Sequence, residues 1–304
     1  MHPKSVTLLR FGRDEPRWAR PWHDLAVKTD VDDIGLDPVN IPLWGHVVDE
    51  FAIEGWADPG ELGALLAVAD EMRGRPVLDL GVGGGRTVAL MRLMSSDYLG
   101  VDYSPEMVEL CRSRHPDVTV VLGDARDLHM VDTASKALVC FSNNGIDAVD
   151  HEGREQVLDE VARVLEPNGL FVYSTLNKDN PLFGAHPGTA EPIPWMPGSL
   201  LPARLVGEKV GGIDGDQDAS WVRALRNWRR LSASTVDKGS WGIAPFAAHE
   251  FGLLVHFITL AGAINELAMR DLVVERVFSC DSPQPHSPEE PMTAMYMHLV
   301  ARRR

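Results

Sequence analysis

The segment Val77-Leu78-Asp79-Leu80-Gly81-Val82-Gly83-Gly84-Gly85-Arg86-Thr87 constrains this chain more than any other. It reads as a buried strand that runs into a glycine loop and then opens a helix. Glycine has no Cβ and tolerates positive φ, so the backbone of such a loop can press against a nucleotide-like ligand. Asp79 stands at the strand's end. A carboxylate there repels a pyrophosphate and suits a cationic group. The dinucleotide fingerprint G-x-G-x-x-G begins with Gly81 and Gly83 but needs a third glycine where Arg86 stands.

Two further segments repeat the pattern. Tyr98-Leu99-Gly100-Val101-Asp102 reads as a strand with an acid tip. Asp102 lies about twenty residues beyond the loop, where a carboxylate can bind both ribose hydroxyls. Tyr103 can lie against a purine. Ser104-Pro105-Glu106 then starts a helix, with Ser as N-cap, Pro at the first position and an acid in the first turn. Its core stripe is read as Met107, Leu110 and Cys111. Val118-Thr119-Val120-Val121-Leu122 is a third strand, and it ends in Gly123-Asp124-Ala125. Asp124 can accept from an adenine amino group, and Ala125 leaves room for the ring. Taken alone, Asp124 also reads as a turn residue. Three acid-tipped strands in this order point to an adenosyl ligand with a cationic end, S-adenosylmethionine (SAM).

On these residues the chain resembles the class I SAM-dependent methyltransferases, over roughly residues 75–176 and 250–302. Together with Gly100-Val101-Asp102-Tyr103-Ser104, the segment Phe141-Ser142-Asn143-Asn144-Gly145-Ile146-Asp147 resembles a subgroup acting on small molecules. The next helix there begins near a His and an Arg, here His151 and Arg154. The resemblance implies SAM contacts at Asp79, Gly81, Gly83, Asp102, Tyr103, Asp124, Ala125, Ser142 and Asn143. It also implies an α/β fold with a doubly wound, seven-stranded, mostly parallel sheet. One departure stands out. The fifth strand of the subgroup often ends in S-S/T-H-N, whereas Ser174-Thr175-Leu176-Asn177 has Leu in place of His.

The remaining chain divides around this core. Residues 1–74 read as an N-terminal arm and a lead-in helix that starts at Asp58-Pro59-Gly60-Glu61, a capping-box pattern. Leu62, Leu65, Leu66 and Val68 would form its buried stripe. Residues 75–177 form the nucleotide-binding core. Residues 178–248, rich in Pro and Gly, read as an inserted lid. Residues 249–304 return to the core, with a helix capped by Thr259 and a final antiparallel strand pair. All eight tryptophans lie in the arm or the insertion, which suggests a covered, largely apolar acceptor chamber. Trp44, Asn144 and Asn177 are assigned to the acceptor side.

The length of 304 residues gives ample core. A net charge of −15 disfavours nucleic acid and anionic membrane surfaces as partners. The three cysteines are far apart and fit buried thiols of a cytoplasmic protein. No apolar run is long enough to span a membrane, and the N-terminus has no signal-peptide pattern. The histidines are scattered without metal-ligand spacing, so no metal is expected. A small-molecule acceptor is the expected partner, and a homo-oligomer is left open.

Methyl transfer to most oxygen or nitrogen acceptors needs a base. His256, on the strand after the insertion, and His151 are the candidates. Neither stands in a pair whose spacing demands catalysis. With Leu176 in place of His, the sequence tilts toward a base-independent acceptor such as a methionine-like thioether. An amino-acid acceptor would need an Arg for its carboxylate, and Arg204, Arg223 and Arg229 are candidates. Base-assisted O- or N-methylation is the main alternative. A non-catalytic SAM binder and a nicotinamide oxidoreductase are the others, and Arg86 argues against the last.

Overall fold

The computed structural model describes residues 36–44, 56–188, 217–287 and 289–304, without the side chains of 43, 44, 217–220 and 249. Trp18, Trp22, Trp195 and Arg204 lie outside the described residues, as do the side chains of Trp44 and His249. The elements in chain order are α1 (Asp37–Trp44), α2 (Pro59–Ala69), β1 (Val77–Leu80), α3 (Val88–Met94), β2 (Tyr98–Asp102), α4 (Pro105–Arg114), β3 (Thr119–Leu122) and β4 (Lys136–Phe141). They continue with α5 (His151–Val164), β5 (Leu165–Leu176), α6 (Gln217–Leu231), β6 (Val236–Asp237), β7 (Trp241–Pro245), β8 (Leu254–Ile258), α7 (Leu260–Ala268), β9 (Leu272–Ser279) and β10 (Tyr296–Arg303).

Seven strands form one sheet in the order β3-β2-β1-β4-β5-β10-β9. The first five are parallel, and β10 runs antiparallel to both β5 and β9. This is the doubly wound sheet expected from the sequence. Helices cover both faces. Ala64, Leu65 and Val68 of α2, Met91 of α3 and Val108 of α4 fill one side. Val157, Leu158 and Val161 of α5 with Ala263 and Leu267 of α7 fill the other. Central strands are buried on both faces, so their sequences are apolar runs and not alternating ones. The chain leaves β1 toward β2 on one side and returns through β4 on the other. Ligands of such sheets bind at that switch point, beyond the carboxyl ends of the strands.

The caps read at Asp58, Ser104 and Thr259 form, and Asp150 adds one the sequence reading did not place. Asp58 accepts from the Glu61 N–H at 2.9 Å, Ser104 from Met107, Asp150 from Gly153 and Thr259 from Gly262. The stripe of α2 differs from the expected one. Leu62 and Leu66 are exposed, and Gly60, Glu61, Ala64, Leu65 and Val68 face inward. The reason is close approach. A Cβ on Gly60 would stand 2.2 Å from the carbonyl oxygen of Ser279, so the small residues of α2 must face β9. The stripe of α4 likewise shifts by one position, with Val108 buried beside Met107 and Cys111.

A second, three-stranded antiparallel sheet has the order β6-β7-β8. The sequence boundary drawn at 248 falls between β7 and β8, which are hydrogen-bonded neighbours. Thus residues 217–258 build a folded piece with α6 packed on it, and Lys178 N–H donates to Ile258 C=O at 3.0 Å to join it to the end of β5. Among the described residues no helix is long and apolar enough to cross a membrane.

Candidate active site

A cavity of about 150 Å³ opens at the carboxyl ends of β1, β2 and β4. Gly81, Gly83 and Gly84 of the first loop line it, with Arg86 and Thr87 beyond them. Gly81 has φ +60°, and a Cβ there would meet the Phe141 ring at 2.7 Å. Gly145, after β4, would meet the same ring at 2.2 Å. The ring of Phe141 therefore sits between two glycines, and both loops can close on one cavity.

Asp102 and Tyr103 form the wall after β2. Asp102 is buried. Its carboxylate accepts from the Gly83 N–H at 2.8 Å and the Ser104 N–H at 2.9 Å. Burial pushes its pKa up against the pull of these backbone donors. Gly123 and Ala125 line the wall after β3, but Asp124 between them turns away. Arg126 holds the Asp124 carboxylate at 2.6 Å and also reaches Asp37 of α1 at 2.8 Å. Partial burial raises the Asp124 pKa, but the hydrogen bonds and charge of Arg126 outweigh this and lower it. Ser142 and Asn143 complete the wall after β4. Asn143 and Asn144 both have positive φ, 51° and 59°, a conformation asparagine tolerates better than most residues.

Asp79 does not face the cavity directly. It lies beneath it, fully buried, with one oxygen accepting from Tyr98 Oη at 2.9 Å and Thr87 Oγ1 at 3.1 Å. Its other oxygen has no partner. Burial raises its pKa to about 6.

The expected acceptor-side residues separate. Asn177 is buried, and its amide donates to the carbonyls of Met292 and Ala294 at 2.8 and 3.0 Å while its oxygen accepts from Asp179 N–H. It ties the end of β5 to the approach of β10, with both of its amide N–H groups committed. Asn144 donates its backbone N–H to Ser174 Oγ at 2.7 Å, and its side-chain oxygen is buried without a partner. His151 Nδ1 and His256 Nε2 stand 3.1 Å apart, and Trp241 stacks on His151 at 4.0 Å. Neither histidine is among the lining residues. Burial holds the His256 pKa well below its ordinary value, helped by the charges of Arg154 and His151, and burial also lowers that of His151. Leu176 is buried, and its N–H donates to Asp147 at 2.6 Å. Arg223 is held by both oxygens of Glu250, and Arg229 is exposed.

Several site residues escaped the sequence reading. Trp56 lines the cavity, alone among the described tryptophans. Trp228 bonds Ala185 C=O, and Trp241 packs on the histidine pair. Glu61 reads as half of a capping box, yet its carboxylate grips Arg86 at 2.6 and 2.8 Å. The carbonyl of Trp56 accepts from the same guanidinium. Arg154 is fully buried between Asp147 and Glu266, both at 2.6 Å. Only its position in the first turn of α5 hinted at this cluster.

A glycine loop at the switch point of a doubly wound sheet, with Asp102 on the cavity wall and Asp79 beneath it, is the arrangement of a methyltransferase's nucleotide site. Residues 77–169 match the family described as a methyltransferase domain. Phthiotriol/phenolphthiotriol dimycocerosates methyltransferase 1 of Mycobacterium ulcerans (strain Agy99) is 32% identical over 242 residues, covering 74% of this chain and 84% of that protein. A fatty-acid O-methyltransferase of Mycolicibacterium smegmatis is 30% identical over 112 residues, covering 36% of this chain and 39% of that protein. The 1,6-didemethyltoxoflavin-N1-methyltransferase of Burkholderia thailandensis, solved with S-adenosylhomocysteine, shares the fold at 14% identity, covering 86% of this chain and 84% of that one with a TM-score of 0.50. The chain belongs to the class I SAM-dependent methyltransferases and uses SAM as its methyl donor.

Proposed function

We propose that this methyltransferase acts on a small acceptor whose nucleophilic atom carries no proton to remove, with a methionine-like thioether sulfur as the leading case. One observation carries this reading. The ionisable side chains on the described cavity wall are Arg86, Asp102 and Tyr103, and none is a usable base. Asp102 is held by two backbone donors, and burial raises the Tyr103 pKa. His151 and His256 bond each other outside that wall. SAM supplies a methyl carbon already activated by a sulfonium, so the protein's task is alignment and exclusion of water. Alignment alone can contribute roughly 7–11 kcal/mol.

In this reading Asp102 accepts from the ribose hydroxyls, and the backbone from Gly81 to Gly83 follows the chain of the donor. Tyr103, Gly123 and Ala125 flank the adenine, and Asp124 would accept from its amino group on turning its carboxylate from Arg126 toward the cavity. Ser142 and Asn143 bound the site after β4. Asp79 contributes a buried negative charge below the cationic end, where its unpartnered oxygen fits a donor group. The Phe141–Gly81–Gly145 fit supports close approach of backbone to ligand. Trp56 offers an aromatic face, which suits a sulfonium. Thioether transfer moves the sulfonium charge from donor to product, and the acids around the cavity favour both forms.

Oxygen methylation is the second reading, favoured by the fatty-acid O-methyltransferase relative. A carboxylate acceptor also needs no base. An alcohol would need one, and then the His151–His256 pair is the source. Purified protein with labelled SAM and panels of thioethers, carboxylic acids and alcohols tests the choice, with product mass as readout. The expected result is a sulfonium product, kcat flat between about pH 6 and 9, and His256→Gln within about threefold of the parent. A kcat that rises steeply through about pH 6–7 and loses that limb in His256→Gln would overturn the base-independent reading.

A further inference from the structure

We propose that Arg126 couples the donor's adenine to helix α1, as a positioning residue that holds Asp124 back from the cavity. When the adenine 6-amino group takes the Asp124 carboxylate, Arg126 turns its charge to Asp37, and α1 tightens on the site. The proposal rests on the adenine placement given above. One guanidinium serves two carboxylates here. Nε and Nη2 of Arg126 form a side-on fork on both oxygens of Asp124, at 2.6 to 3.1 Å, and Nη2 also meets Asp37 at 2.8 Å. Asp124 stands between Gly123 and Ala125 of the cavity wall, and Asp37 opens α1. Two anions thus compete for a single cation, and a ligand that engages one of them changes what the other receives.

The head of Arg126 can swing while its stem stays. The stem runs past the first turn of α5, where a Cβ on Gly153 would stand 3.2 Å from Arg126 Cδ. The backbone N–H of Arg126 donates to Asp124 Oδ1 at 2.9 Å, so Asp124 keeps one donor when the guanidinium leaves. The side chains are 24% exposed at Arg126, 34% at Asp37 and 38% at Asp124. Water reaches all three, so exchanging partners costs little. Burial raises the Tyr103 pKa, Asp102, Asp37 and Asp124 add to the rise, and Arg126 opposes it. Tyr103 lines the cavity, so Arg126 and its two anions act on the ligand space itself. Helix α1 carries the effect onward. Asn40 donates to the carbonyls of Ala148, on the wall, and of Leu254, in β8, and Leu36 packs with Ile243 of β7 and Leu231 of α6. A 6-amino group is a donor and suits a carboxylate released from its cation. A 6-oxo group is an acceptor and repels it. The coupling from Asp124 through Arg126 to α1 is therefore specific to adenine over hypoxanthine.

Calorimetry and hydrogen exchange on the full chain test it without turnover. The probes are S-adenosylhomocysteine and S-inosylhomocysteine, which differ in the 6-position edge of the base. The parent should bind the adenosyl probe about tenfold tighter. At saturation that probe should slow exchange along residues 38–44 by about fivefold or more, and the inosyl probe should leave it within about twofold. Asp37→Asn removes the anion that Arg126 turns to. It should abolish the slowing and weaken the adenosyl probe about three- to tenfold, with the inosyl probe within about twofold of the parent. Asp37→Glu should restore both. Unchanged exchange along α1 in the parent overturns the proposal. So does equal slowing by the two probes, since occupancy alone would then protect the helix. Slowing that survives in Asp37→Asn overturns it as well. A parallel loss of affinity for both probes in Asp37→Asn would make Asp37 a structural prop and overturn it too. An adenosyl probe that binds the parent no tighter than the inosyl probe would instead reject the Asp124–adenine contact on which the coupling rests, and failure of both to bind would reject the donor site itself.

Discussion

Asp79 shows what a single residue's surroundings add to its place in a motif. The sequence puts a carboxylate at a strand tip. The structure removes it from water and gives one oxygen two hydroxyl donors, Tyr98 and Thr87. Its pKa rises to about 6 because burial outweighs those hydrogen bonds. The folded state therefore binds this proton more tightly than the unfolded chain does. Its contribution to stability is greatest below about pH 4 and is lost as pH rises through about 6. Asp79→Asn keeps an acceptor for both hydroxyls and removes the charge. Melting of the ligand-free variant should exceed the parent's at pH 8 and converge with it near pH 4.5, while SAM affinity falls. A pH-independent gap between the two melting curves would refute the buried-charge account. The tip acids were legible because each stands within two residues of the end of its own strand. Their partners were not, since Tyr98 and Thr87 reach Asp79 from the neighbouring strand and the next helix.

Elements were legible where local rules decide them. Three helix starts, at Asp58, Ser104 and Thr259, carry the side-chain caps their sequences announce, because an N-cap is settled within one turn. Facing was less legible. Leu62 and Leu66 on α2 read as core and are exposed, since the end of β9 approaches too closely for a side chain at Gly60 and so fixes which face of the helix turns inward. Helix α1 had no sequence signal at all. It is short, lies in the irregular arm, and docks through polar contacts. Asn40 is fully buried and donates to the carbonyls of Ala148 and Leu254, both at 2.8 Å, while accepting from Leu254 N–H. Ala148 lines the cavity, so α1 is fastened to the site's rim. Asp37 adds the contact to Arg126. Asn40→Ala leaves the buried N–H and C=O of Leu254 and the part-buried carbonyl of Ala148 short of a partner and should cost about 1–3 kcal/mol. Hydrogen exchange should accelerate along α1 and at Leu254 N–H. Unchanged exchange at both would mean that Leu36 and its apolar neighbours alone hold the helix.

At the scale of the molecule, the ion cluster under the site joins pieces that the sequence keeps far apart. Arg154 starts α5. Asp147 belongs to the turn after β4, between cavity residues Gly145 and Ala148, and it also holds Thr175 and the Leu176 N–H at the end of β5. Glu266 comes from α7, beyond the second sheet, and grips Arg154 through both its oxygens. Burial alone would lower the Arg154 pKa, but Glu266 and Asp147 outweigh it and raise it. One guanidinium thus fastens the turn beside the cavity, the tip of β5 and the helix that returns the chain to the main sheet. The sequence could show Asp147, Arg154 and Glu266 only as unrelated charges, because over a hundred residues separate the helices that bring them together. Arg154→Met fills a similar volume but leaves two carboxylates buried without a cation. Removing one partner of such a cluster costs about 3–5 kcal/mol. Burial already raises the Asp147 pKa to about 7 against the pull of Arg154, and without the cation it should rise further. The raised folded pKa makes the contribution of Asp147 most favourable at low pH and progressively lost as pH rises. The deficit of Arg154→Met should therefore be smallest near pH 5 and grow toward pH 8, read as denaturant midpoints against the parent. A deficit that stays constant across this range would show that Arg154 contributes through packing against Tyr173, 5.9 Å from its ring centroid, and not through its charge.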